Sequence, residues 1–126
     1  MLFRSVLVMN IYTIHQLIGP AVTFMLQHIR QTGVDVSHEK NIICLPCDLT
    51  RSGGFSPEIG AVILCSGNFW SKKQMEVTLT HELVHMYDQC KFKVNWNNLR
   101  HHACSEVRLC SSWMNRWMLH FSFQEL

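Results

Sequence analysis

His81-Glu82-Leu83-Val84-His85 lies within residues 72–91, a stretch free of Gly and Pro in which Met75, Leu79, Leu83, Met86 and Cys90 recur at spacings of four, four, three and four. That period predicts a buried helix. Histidines four apart on a helix point the same way, so His81 and His85 can both bind one zinc ion, each nitrogen about 2.0–2.1 Å from the metal. Glu82, one residue after the first histidine, falls beside such an ion rather than on it. There a carboxylate can take a proton from water as the water attacks a carbonyl. A catalytic zinc usually keeps three protein ligands and one open position, so the motif calls for a third ligand downstream.

Beyond the helix, Asn95-Trp96-Asn97-Asn98 forms a polar connection. A second helix is predicted with Asn97 or Asn98 as its N-cap, running through Leu99, His102, Cys104 and Val107. A helix, a short turn and an antiparallel helix bring Glu106, 21 positions after His85, back over the first helix. Glu106 is the expected third ligand. His102, one helical turn earlier, and the adjacent His101 are alternatives, and His102 could instead serve behind a ligand. Asp88 reads equally as an acceptor for a ligating imidazole or as a solvated helix residue. Tyr87, Trp96, Trp113 and Trp117 read as core or interface aromatics. His15, His28, His38 and His120 have no spacing that suggests a metal.

Upstream, Pro20 suits the first turn of a helix whose apolar face is Val22, Met25, Leu26 and Ile29 and which Gly33 ends. Short apolar runs at residues 34–36, 42–45 and 61–65 read as strands, with a turn-rich stretch over residues 48–57 between the last two. The expected architecture is α+β, a single zincin-like domain with a small sheet, the motif helix and a ligand-bearing helix after it. Residues 61–65 are the expected edge strand, free to pair with an extended peptide.

Composition narrows the field. A chain of 126 residues with 48% hydrophobic and 16% charged residues has the makings of one globular domain. A formal charge of +2 without a basic run argues against a nucleic-acid partner. Residues 1–18 are apolar but interrupted by Arg4, Asn10, His15 and Gln16, short of the roughly 20 clean residues that span a bilayer. They read as a helix packed on the core or touching a membrane surface. Six cysteines suit either an oxidising compartment or metal ligation. Cys44-Leu45-Pro46-Cys47 has the spacing of half a zinc ribbon, but no second C-x-x-C completes it, and sequence does not select a disulfide pairing.

The run Thr80-His-Glu-Leu-Val-His-Met-Tyr-Asp88, then Asn95-Trp96, then Arg100-His-His-Ala-Cys-Ser-Glu-Val-Arg108, resembles the mitochondrial inner membrane metalloproteases that mature ATP synthase subunit 6 and assist its assembly. Cys44-Leu-Pro-Cys47, Ser52-Gly-Gly-Phe55 and Ile63-Leu-Cys65 extend the resemblance over residues 24–108. On that likeness, residues 24–108 form the zinc metallopeptidase domain, residues 1–23 an N-terminal extension and residues 109–126 a divergent tail at which the chain looks cut short. The resemblance implies His81, His85 and Glu82 as zinc ligands and general base. It also implies peripheral attachment to the inner membrane on its intermembrane-space side, and an ATP synthase membrane subunit precursor as polypeptide substrate. Hydrolysis of an internal peptide bond is the expected reaction, with zinc on His81, His85 and Glu106. The rival expectation is a noncatalytic assembly factor for the same membrane sector, its peptidase activity lost with the missing region.

Overall fold

The computed structural model describes residues 19–48, 50–69 and 71–111, with side chains through residue 107. Helix α1, Pro20–Gln31, begins with proline, whose missing N–H costs nothing at a helix start, and buries Val22, Met25, Leu26 and Ile29 as the spacing predicts. Residues 34–36 do not form the expected strand. Val36 is buried in the core while Val34 is exposed, and the Val36 carbonyl accepts the Arg30 Nε–H at 2.9 Å. The short helix α2, His38–Asn41, follows directly, its N-cap Ser37 accepting the Lys40 N–H.

Three strands form one sheet: β1, Ile42–Pro46; β2, Gly53–Ser56; β3, Ala61–Ser66, in the order β1-β3-β2. β1 runs parallel to β3, with Ile42 opposite Val62, and β2 runs antiparallel to it, with Phe55 opposite Val62. This corrects the expected edge role of residues 61–65: β3 is the central strand. Its near-continuous apolar run suits burial on both faces, where an edge strand would show alternation. The edge beside the motif helix is β2, within a stretch that reads as turns because Gly53-Gly54 breaks the β signature. At Gly53 a Cβ would stand 2.8 Å from the Ile63 carbonyl oxygen and 3.1 Å from Thr78 Cγ2, so glycine lets the strand backbone approach closely.

A disulfide joins Cys47, just past β1, to Cys65 on β3. Cys47 is therefore not a thiolate partner of Cys44, which is a free, half-buried thiol packed against the core. Burial pushes the Cys44 thiol up from its ordinary value.

Helix α3, Lys72–Phe92, is the motif helix, capped by Ser71, whose side chain accepts the Gln74 N–H at 3.1 Å. Met75, Leu79, Leu83 and Met86 are buried in one core with α1 and the sheet. Lys93 ends the helix in the left-handed conformation at φ 50°. Helix α4, Leu99–Ser111, starts where Asn98 caps it, its Oδ1 accepting the Arg100 N–H at 3.0 Å. The expectations for residues 1–18, for Trp113 and Trp117, and for the end of the tail at 112–126 lie outside the described residues.

Candidate active site

Because α3 is pinned through its apolar stripe, the opposite side of the same turns carries His81, Glu82 and His85 into a cleft. The cleft, about 260 Å³, is also lined by Phe55 and Pro57 from the β2 side, by Trp96 from the connection, and by His102 and Glu106 from α4. α4 turns Glu106 back over α3. The Glu106 Oε1 atom lies 3.1 Å from His85 Nε2, and Oε2 lies 3.9 Å from His81 Nε2. Ligand atoms of His81, His85 and Glu106 all fall within 4.8 Å of one another, the only such group among the described residues that could hold a metal ion.

The donor set suits zinc on two counts. Ligands about 2.0–2.1 Å from a tetrahedral ion lie about 3.3 Å apart, close to the spacing from His85 to Glu106 and slightly tighter than that from His81. In addition, both histidines turn the same nitrogen, Nε2, toward Glu106.

His102 approaches the same carboxylate, with Nε2 3.6 Å from Glu106 Oε1, but remains half-exposed outside the three-residue group. His101 points elsewhere: its Nδ1 accepts the Asn95 N–H at 3.0 Å.

Glu82 sits beside this group with its carboxylate accepting the backbone N–H of Phe55. Burial and then the nearby Glu106 charge push its pKa up to about 7 from 4.5, against the Phe55 bond, which favours the ionised form. His85 moves the other way. Burial holds its pKa below the ordinary histidine value, although the Glu106 charge opposes this, so the neutral imidazole with a free lone pair is favoured.

Trp96 differs from its sequence reading, the structure removes one of the two alternatives open for Asp88, and Ser105 was not foreseen. Trp96, expected in a core or interface, forms a wall of the cleft. Its Nε1–H donates to Gln89 Oε1 at 2.6 Å, and its ring meets those of His85, Phe55 and His102 edge-on at 5.6, 5.9 and 5.7 Å. Asp88 is buried rather than solvated, and accepts the Ser105 hydroxyl at 2.7 Å. Ser105 in turn lies 2.8 Å from His85 Nδ1. Its only signal in the sequence is adjacency to Glu106.

A sequence model of the peptidase M76 family matches residues 11–121. The chain belongs to that family. It is 49% identical over 93 residues to the mitochondrial inner membrane protease ATP23 of Scheffersomyces stipitis, covering 71% of this chain and 38% of that protein. The protein of the same name from Meyerozyma guilliermondii is 52% identical over 90 residues, covering 71% of this chain and 36% of the relative. That of Aspergillus clavatus is 42% identical over 105 residues, covering 82% and 44%. The chain thus spans less than half the length of these M76 relatives. No solved structure matches it.

Proposed function

We propose that this chain is a zincin-like, zinc-dependent metalloendopeptidase domain that cuts an internal bond of a polypeptide. The observation that carries the reading is the convergence of His81, His85 and Glu106 within 4.8 Å beside the half-buried carboxylate of Glu82. In this reading His81 Nε2, His85 Nε2 and the Glu106 carboxylate hold zinc. Bound there, zinc supplies Lewis acidity that acidifies water and polarises the peptide carbonyl.

The chain's own residues do the rest. Glu82 takes the proton from the attacking water and returns it to the departing amide nitrogen. A carboxylate held beside the attacking water can both accept and release that proton. The Phe55 N–H holds one carboxylate geometry, which ties the base to β2. As the edge of the described sheet, β2 can add an extended substrate as a further strand, its backbone providing affinity and the cleft walls Phe55 and Trp96 providing side-chain selection.

The name of the relatives supports a place at the mitochondrial inner membrane. An ATP synthase membrane subunit precursor is the proposed substrate, met by peripheral association from the intermembrane-space side, a setting compatible with the Cys47–Cys65 disulfide. No described helix is long and apolar enough to cross a membrane.

Elemental analysis of the purified chain should find one zinc, absent from His81→Ala. Glu82→Gln should retain the zinc while peptide cleavage falls by about 10²–10⁴-fold. A folded wild type that binds no zinc sinks the metallopeptidase reading. Zinc binding with full cleavage by Glu82→Gln removes the base assignment. Zinc binding without cleavage by the wild type, together with retained help to ATP synthase assembly, leaves the assembly-factor reading.

A further inference from the structure

Behind the cleft, on the side of His85 away from Glu106, three buried polar side chains form a line. His85 is 6% exposed, Ser105 3% and Asp88 2%. Ser105 Oγ stands 2.8 Å from His85 Nδ1 and 2.7 Å from Asp88 Oδ2.

The donor inventory orients the whole line. An ionised carboxylate only accepts, and a hydroxyl has one hydrogen, so Ser105 must give its hydrogen to Asp88. The lone pairs of Ser105 Oγ then face His85, and the bond between them can form only if His85 Nδ1 carries a proton and donates it. A neutral imidazole protonated on Nδ1 has its lone pair on Nε2, the atom that faces the cleft; there the Glu106 carboxylate, 3.1 Å away, competes by accepting from Nε2 until a cation stands between the two. The opposite tautomer would leave a buried Ser105 lone pair facing a bare ring nitrogen and put a proton where a metal must go.

We propose that Ser105 is a positioning residue for the metal site, a hydroxyl relay through which Asp88 sets the tautomer and ring orientation of His85. The proposal rests on the zinc-site reading above, but the bond between Ser105 and His85 Nδ1 is a property of the chain alone.

A second consequence comes from where Ser105 sits. It is the one buried residue among the described side chains of α4, and it is followed in sequence by Glu106. His85 and Asp88, three apart on α3, present their polar atoms on one helix face, and Ser105 bridges them. The bond that orients the second histidine therefore also seats the helix that delivers the third ligand. A serine one residue earlier or later would satisfy neither.

The test has two readouts besides activity. Nitrogen-detected NMR of the metal-free chain carrying Glu106→Ala, which removes the competing acceptor beside Nε2, should find His85 protonated on Nδ1 both with the native Ser105 and with Ser105→Thr. Ser105→Ala should lose that preference. Asp88→Asn is close in shape, but its amide can donate to Ser105, which is then free to donate to Nδ1, so it should populate the wrong tautomer.

Zinc affinity, measured by competition with a chromogenic chelator, should fall about 10–100-fold in Ser105→Ala and Asp88→Asn and stay within about threefold of wild type in Ser105→Thr. In the Glu106→Ala background, His85 protonated on Nε2 beside the native Ser105 overturns the proposal, as does wild-type zinc affinity in Asp88→Asn. Should Ser105→Ala not fold, the native-serine, threonine and Asp88→Asn measurements still decide. A wild type that binds no zinc, with the Nδ1–H tautomer found in the Glu106→Ala background, refutes the metal reading while leaving the relay in place.

Discussion

The two helices that build the cleft are held in opposite ways. α3 is embedded: Leu79 and Leu83 are fully buried, and the motif residues ride on a rod that the core has already fixed. α4 lies on the outside, with Leu99 82% and Val107 60% exposed and Ser105 its one buried described side chain. His81, Glu82 and His85 therefore take their places from apolar packing. Glu106 takes its place from polar contacts to α3. A site assembled in this way has a rigid half, which sets the spacing of the two histidines and Glu82, and a docked half, whose stability is a separate quantity.

The sharpest way to break this comparison is to cut into the rigid half. Leu83→Ala should destabilise the fold by about 2–5 kcal/mol in urea denaturation, because it opens a cavity under the motif helix. A loss below about 1 kcal/mol would mean that α3 is not anchored by its stripe.

Next in size is the cost of the site itself. The Glu82 carboxyl sits at about 7 in the folded chain against 4.5 ordinarily, so between those values the folded chain keeps a proton that the unfolded chain has lost. The Glu82 contribution to the stability of the metal-free protein should therefore decline as pH rises from about 4.5 to about 7, with the full penalty above that. Glu82→Gln removes the ionisable group. It should match wild type near pH 4 and exceed it by on the order of 2 kcal/mol at pH 8, read from paired denaturation curves. An equal pH dependence in the two proteins would show that Glu82 is not desolvated.

The smallest expected effect lies on the docked half. Val107→Ala should shift stability by no more than about 0.5 kcal/mol, as surface changes usually do. A shift comparable with that of Leu83→Ala would erase the distinction between the helices.

Legibility in the sequence follows the same division. The motif helix, its apolar face and α1 were readable because a helix with a buried stripe writes its period into a continuous run, and Asn98 was readable as a cap for the same local reason. Residues 34–36 read as strand but lack a pairing partner, because Val36 is needed as a core plug. β2 was hidden by Gly53-Gly54, which reads as a turn, yet is there because the strand passes against Ile63 and Thr78. That displacement matters for function, since β2 rather than β3 is the edge strand, and it is β2 that bonds Glu82. Trp96 was misread and Asp88 stayed undecided for a related reason: an aromatic or an acid near a helix end looks the same whether it faces solvent, core or cleft.

By itself, then, the sequence determined the elements and the local chemistry: an i, i+4 histidine pair with an adjacent carboxylate, on a helix whose other face is apolar. Periodicity and spacing are properties of neighbours along the chain, and neighbours along a helix are neighbours in space. Tertiary structure alone decided that Cys47 pairs with Cys65, that β3 is central and β2 the edge, that Glu106 rather than His101 turns toward the histidines, and that Ser105 joins His85 to Asp88. Each of those joins residues 17 or more positions apart or depends on which side of a helix faces its partner. No local propensity encodes such a contact until the core has brought the two surfaces together.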